Sequence, residues 1–319
     1  MKKTWLVKLQ QQFPHLNFQE DFLLSNYSYF QIGGPAEVFV KVEFVPDIQE
    51  LVEFCQLQNV KLTILGAGSN VIVADEGING LVISVVNKEI EQLAIQDGLL
   101  HFRAGAGIKT TQLARKISLA GGMGLEPFVG VPGTLGGAVY NNAHFQQTLI
   151  GDYISQVQVI DETGNLNWVD VNDCEFAYEQ SRFQTTNEII VRVDFVLVKG
   201  DPAQARGKMK QATQYRAQTQ PTQPSCGCVF QNVKNNDSLK KLFPQFAERD
   251  YVPAGFLIEQ AGLKGLRVGD IEVSAKHAAF LINKGQGTAA DVKTIIKKIK
   301  AKVEARFKVR LAEEVFYLE

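Results

Sequence analysis

The chain is poor in several things, and each shortage closes off a class of protein. Only 4 cysteines stand among 319 residues. Scattered as Cys55, Cys174, Cys226 and Cys228, they cannot make a disulfide framework, and a reducing cytoplasm suits them better. No apolar run approaches the roughly 18 residues that a transmembrane helix needs. The first residues, Met1-Lys2-Lys3-Thr4-Trp5-Leu6-Val7-Lys8, begin like a secretory leader, but the apolar stretch stops at Lys8 and glutamines follow. Neither charge is in excess: the net charge of -1 makes no case for nucleic acid or an anionic membrane. Repeats and low-complexity tracts are absent. So is a G-x-x-x-x-G-K-[ST] phosphate loop.

What is present is ordinary soluble composition, 45% hydrophobic and 21% charged, in a chain long enough for two or three domains. Two Gly-rich loops stand out. One is Gly66-Ala67-Gly68-Ser69-Asn70, the other Gly130-Val131-Pro132-Gly133-Thr134-Leu135-Gly136-Gly137-Ala138. Glycine lets backbone N–H groups approach a phosphate with no Cβ in the way. Such loops are structural turns more often than cofactor cradles, but a strand-flanked pair suits a ligand with a pyrophosphate. Gly66-x-Gly68 lacks the third glycine of a Rossmann fingerprint, and the strand-like Val71–Val73 follows where a helix should open.

The rest reads as α+β. Strand patterns cover 36–42, 61–65 and 81–86, with helical spacing of Ile48, Leu51, Val52 and Cys55 between the first two. A strand over 100–104 leads to a helix over 110–119. Strands over 157–161 and 166–171 flank the turn Asp161-Glu162-Thr163-Gly164-Asn165, and another covers 189–199. A polar helix over 203–218 precedes the Pro-rich turn 220–224. Thr288 and Asp291 make a capping box for a helix with Val292, Ile295, Ile296, Ile299, Val303 and Phe307 on one face and lysines on a solvated one. The segment 309–318 reads as a strand.

Phe30-Gln31-Ile32-Gly33-Gly34-Pro35-Ala36, the two Gly-rich loops, Gly124-Leu125-Glu126-Pro127-Phe128, Pro224-Ser225-Cys226-Gly227-Cys228, residues 254–265, Ser274-Ala275-Lys276-His277-Ala278 and Leu311-Ala312-Glu313-Glu314-Val315 together resemble the UDP-N-acetylenolpyruvoylglucosamine reductase family, in the family's order. The compact subgroup is the nearer match. The resemblance implies a two-part FAD-binding module of the vanillyl-alcohol-oxidase type, at 1–86 and 87–199, with the C-terminal strand of 304–319 packing back on it. It also implies a substrate-binding domain at 200–303. NADPH would reduce FAD, and the flavin would reduce the enolpyruvyl group of a UDP-sugar in a cytoplasmic monomer that serves peptidoglycan precursor synthesis.

By the same resemblance, Gly66, Ala67, Gly68, Ser69, Asn70, Gly133, Thr134, Gly136, Gly137 and Asn141 would hold the cofactor. Tyr178, Arg216, Asn232 and His277 would hold substrate, and Glu314 would be the C-terminal catalytic acid. Cys228 stands where most members carry a serine proton donor, and a thiol can also deliver a proton. A metal pair with Cys226 is weakly supported without a further ligand cluster. The family's Tyr-Arg-x-Ser becomes Tyr178-Glu179-Gln180-Ser181, which replaces a substrate-binding cation by a carboxylate. Arg182 is the candidate replacement, although a strand here would turn it away from Glu179. Thr219 stands where a basic residue is common, and His144 reads as a loop residue. Two other readings stay open: a flavin-binding homologue without catalysis, which Glu179, Thr219 and Cys228 favour, and a related FAD oxidase of another substrate.

Overall fold

The structure, a computed structural model, describes residues 4–319. The chain divides into two compact units. The first holds the described residues through Phe22, with Ala36–Ala67 and Asn79–Arg216; the second holds Leu23–Pro35, Gly68–Ile78 and Ala217–Glu319.

In the first unit, strands Gln19–Leu23, Pro35–Val42, Ile78–Val85 and Leu62–Ile64 lie side by side in that order. Helix Val45–Gln58 buries Ile48, Leu51, Val52 and Cys55, the stripe its spacing dictates. A larger sheet orders Leu166–Asp170, Ile154–Ile160, Ile189–Lys199, Leu99–Gly105 and Ile90–Gln96, all antiparallel. The hairpin between its first two strands turns on Asp161, whose Oδ1 accepts from the N–H of Thr163 (2.9 Å) and of Asn165 (3.0 Å).

Register in this sheet is fixed by one buried charge. Arg103 donates to both oxygens of Asp194 at 2.8 Å, and Gln156 Nε2 donates to Asp194 Oδ2 at 2.7 Å. These three residues are direct cross-strand partners on three strands. The Arg103 guanidinium also lies 4.5 Å from the ring centre of Trp168 on a fourth. A slip by one residue would strand the Asp194 carboxylate among apolar side chains. The edge strand Ile90–Gln96 escapes a sequence reading because all but Ile90 is exposed, leaving no alternating pattern.

The helix Pro202–Thr219 counts with this unit through Arg216, although the sequence suggests a third domain from residue 200. Its Lys208 Nζ stands 3.6 Å from Oε1 of Glu126, which is 1% exposed.

The second unit carries strands Ser225–Cys228, Phe280–Asn283, Ile271–Val273 and Arg267–Val268 in that order. Helix Ala289–Phe307 has the expected capping box and buries the whole predicted stripe. Asp75 also caps it, accepting from the N–H of Ala289 (2.7 Å) and Ala290 (3.0 Å). Lys297, Lys298 and Lys302 are exposed, while Lys293 and Lys300 pair with Glu319 and Glu313. The expected strand 309–318 shrinks to Phe316–Leu318, which runs parallel to Val71–Val73. Residues 312–314 are extended and bonded to the chain at 229–231 instead.

Gly124 has φ +119°, and a Cβ there would lie 2.1 Å from the Tyr153 ring, whereas Gly98, at φ +77°, has open space around it. Gly124→Ala should therefore cost about 3 kcal/mol, and Gly98→Ala only about 1 kcal/mol of backbone strain, in urea unfolding.

Candidate active site

The first Gly-rich loop leaves the sheet just after Leu65, whose N–H still donates to Ile83 O at 2.9 Å. A Cβ on Gly66 would sit 2.6 Å from Thr134 Oγ1, so this glycine allows the two loops to touch. Among the described residues, the N–H groups of Gly66, Ala67 and Gly68 donate no hydrogen bond. Three consecutive amides without a protein partner, the last on a residue at φ +67°, are available to an anion. Such a set fits a cofactor phosphate. In the second loop the amides of Leu135 and Gly136 are already spent, donating to Ile108 O and Ala106 O at 2.8 Å. Gly136 serves close packing, since a Cβ would lie 3.1 Å from that of Ala106. Gly133 takes φ +119° and Gly137 is exposed.

Asn141 faces inward. Its Nδ2 donates to Glu179 Oε2, and its Oδ1 accepts from Gln184 Nε2 at 3.3 Å, so its side chain is committed within the protein. Glu179 is the centre of this cluster. It is 4% exposed, and its other oxygen pairs with Nδ1 of His144. It sits at φ +54° in a tight turn closed by mutual backbone hydrogen bonds of Ala177 and Gln180. Tyr178 packs against His144 with ring centres 5.1 Å apart.

The segment is not the strand on which the sequence reading placed Arg182. It turns into a short 3-10 helix, Arg182–Gln184. The Arg182 guanidinium is gripped by Glu188, Nε to Oε2 at 3.1 Å and Nη2 to Oε1 at 3.0 Å. A cation already matched by its own carboxylate is a poor anchor for a substrate anion, so Arg182 does not replace the missing arginine as expected. Arg216 instead packs on Gly130, where a Cβ would meet its Cδ at 2.5 Å, and stacks 5.4 Å from the centre of the Phe145 ring. Tyr178, His144, Glu179 and Asn141 thus form one cluster. The pairing of His144 with Glu179 has no sequence signature, because the two lie 35 positions apart on irregular chain.

In the second unit, Cys228 ends the strand Ser225–Cys228, opposite Phe280. Gly227, at φ +82°, interrupts the ladder between Ser225 and Cys228. The chain leaving Cys228 is bonded to the C-terminal segment: Glu314 N–H donates to Val229 O at 2.9 Å and Gln231 N–H to Ala312 O at 3.0 Å. Glu314 O in turn accepts from Asn70 Nδ2 at 3.2 Å. The backbone of a near-terminal acid is thereby tied to the residue that follows Cys228. Asn232 Oδ1 accepts from Ala254 N–H at 3.2 Å, and a Cβ on Gly255 would lie 3.2 Å from His277 Cε1. Asn232 and His277 each pack at the start of the short helix Ala254–Gln260, by Ala254 and by Gly255 respectively. Burial, and then the charge of Lys264, lower the His277 pKa below 6.5, so the ring is neutral at neutral pH.

The cysteines differ sharply. Burial pushes the thiols of Cys55, Cys174 and Cys226 up to about 12, while Cys228 is half-buried. No cluster of three potential metal ligands exists among the described residues. At pH about 8 a thiol reagent, or peroxide, should therefore modify Cys228 first, and Cys228→Ser should abolish the fast phase in peptide mass mapping. A raised thiol pKa means that the folded state holds its proton. Stability from these three groups is complete below their ordinary value of 9.0 and should fall as pH climbs from there toward 12, read by urea midpoint.

Known proteins place the chain. An FAD binding domain model matches residues 36–170, and the C-terminal domain model of UDP-N-acetylenolpyruvoylglucosamine reductase matches residues 220–318. The UDP-N-acetylenolpyruvoylglucosamine reductase of Nostoc sp. is 36% identical over 295 residues, covering 92% of this chain and 84% of that protein. The reductase of Halalkalibacterium halodurans is 32% identical over 293 residues, 92% of this chain and 91% of its own. The crystal structure of the Thermus caldophilus reductase superposes with a TM-score of 0.75 at 27% identity, covering 95% of this chain and 99% of that one. No helix among the described residues is long and apolar enough to cross a membrane. An α+β FAD-binding module joined to the reductase C-terminal domain, over nearly the whole chain, means that the protein belongs to the UDP-N-acetylenolpyruvoylglucosamine reductase family, the FAD-dependent oxidoreductases of peptidoglycan precursor synthesis.

Proposed function

We propose that this chain uses NADPH to reduce UDP-N-acetylglucosamine enolpyruvate to UDP-N-acetylmuramate through bound FAD, as a cytoplasmic monomer. The observation that supports this reading is the hydrogen bond from Glu314 N–H to Val229 O at 2.9 Å, which joins the backbone of Glu314 to the residue after Cys228. The free amides of Gly66, Ala67 and Gly68 are the groups to hold the cofactor pyrophosphate, and Ser69, Asn70, Gly133, Thr134 and Gly137 are the further residues assigned to the cofactor. FAD would supply the redox chemistry there, carrying reducing equivalents from NADPH to C3 of the enolpyruvyl group.

The residues of this chain manage charge and proton. Hydride arrival at C3 leaves negative charge on C2 and its carboxylate. Cys228 gives its thiol proton to C2, a role for which a thiol, with an ordinary pKa of about 8.5, is a stronger acid than the usual serine. Glu314, in its protonated form, donates to the developing enolate. Arg216, always charged, takes an anionic group of the UDP-sugar. Tyr178, Asn232 and the neutral His277 add hydrogen bonds without charge.

A second reading, a binding homologue without turnover, is favoured by the buried carboxylate of Glu179 where relatives present a guanidinium. Anaerobic reduction of the flavin by NADPH, followed by addition of the enolpyruvyl substrate, separates the two. Reoxidation by the substrate supports the reductase, while a flavin that stays reduced supports the binding protein. Rapid oxygen consumption would indicate an oxidase. Glu314→Gln should slow the substrate-driven reoxidation by about a hundredfold or more, with NADPH reduction unaffected.

A further inference from the structure

Glu179 and His144 form a carboxylate–imidazole pair that nothing in the proposed reaction yet uses. The carboxylate is out of water, with its side chain 2% exposed, while that of His144 is 24% exposed. One oxygen is taken by Asn141 Nδ2, and Gln184 Nε2 braces both Asn141 Oδ1 (3.3 Å) and the Glu179 carbonyl (3.1 Å). The other oxygen meets His144 Nδ1. Holding a carboxylate at 4% exposure on a backbone at φ +54° costs free energy both in desolvation and in strain. The surrounding chain bears that cost for one visible result: His144 is pinned by Nδ1, with its face against Tyr178 and its opposite nitrogen turned from the carboxylate. Nε2 makes no hydrogen bond among the described residues, and the contact of Nδ1 with Glu179 is an ion-pair contact outside hydrogen-bond geometry. A carboxylate fixing one imidazole nitrogen so that the other can serve a ligand is the logic of every catalytic Asp–His pair.

We propose that His144 is an anion-binding residue for the nucleotide-sugar substrate, with Glu179 as its positioning residue. Held against Glu179 at Nδ1, His144 offers Nε2–H to an anionic oxygen of the ligand. Glu179 then works through the histidine, and its charge does not oppose the ligand directly. Arg182, engaged by Glu188, has no part in this contact. The inference rests on the reductase reading for the identity of the ligand, whose anionic oxygens belong either to its carboxylate or to its diphosphate.

Calorimetric titration of the flavin-loaded protein with UDP-N-acetylmuramate and with UDP tests it without turnover. The first ligand carries both anionic groups, the second only the diphosphate. His144→Gln should weaken UDP-N-acetylmuramate about tenfold or more, the scale of one charge-assisted hydrogen bond, and Glu179→Gln should weaken it in the same direction. UDP affinity unchanged in both variants assigns the contact to the carboxylate, and an equal loss for UDP assigns it to the diphosphate. Flavin content and urea midpoint near wild type establish that each variant is folded. Wild-type affinity for both ligands in folded His144→Gln overturns the proposal, as does a loss confined to Arg182→Ala. A wild-type protein that binds neither nucleotide rejects the reductase reading, and this role with it.

Discussion

The second unit depends on a single run of backbone hydrogen bonds made by the last residues of the chain. Gln231 donates to Ala312, Glu314 to Val229, Phe316 to Asn70 and Ala74 to Leu318. The tail therefore stitches the exit of the thiol strand to the exit of the first Gly-rich loop. The strand Val71–Val73 has the tail strand Phe316–Leu318 as its partner, whereas Ser225–Cys228 pairs with Phe280–Asn283. The apolar side of the same segment, Leu311 and Val315, is buried in the core under helix Ala289–Phe307. An acid only 5 positions from the final residue thus acquires a fixed place. Without this tertiary pairing it would be a solvated surface glutamate.

Buried charge is the second constraint, and the first unit treats it in three ways. Asp194 is neutralised by a two-pronged arginine and locks the register of the large sheet. Glu126 accepts from the N–H of Gly124 and faces Lys208, which ties the Gly124–Phe128 motif to the helix Pro202–Thr219. Glu179 is paired with a histidine that still reaches solvent. In all three the partner keeps contact with solvent, with the side chains of Arg103, Lys208 and His144 exposed to 31%, 56% and 24%.

The elements legible in the sequence were those with a strong local period. Helix Ala289–Phe307, with its capping box, and strand Ile189–Lys199 appear at their expected bounds because one face of each is buried along its length. The short helix Leu135–Tyr140 and the strand Ser225–Cys228 carried too few residues to show any period. At the site, Gly66 was legible because only glycine permits the approach to Thr134. Asn141, expected at the cofactor, hydrogen-bonds Glu179, and Arg182, expected at the substrate, pairs with Glu188. Both outcomes were decided by partners distant in sequence on irregular backbone, where neither helical nor strand spacing constrains which side chains meet.

The account's central claim is that the Cys228 thiol protonates the substrate carbon. The most direct measurement is single-turnover oxidation of the reduced flavin by enolpyruvyl substrate, compared between Cys228→Ser and Cys228→Ala. An oxygen-borne proton in place of the sulfur-borne one should preserve most of the rate, and removal of the proton should slow it by about a hundredfold or more. Equal rates in the alanine variant and the wild type would contradict the claim.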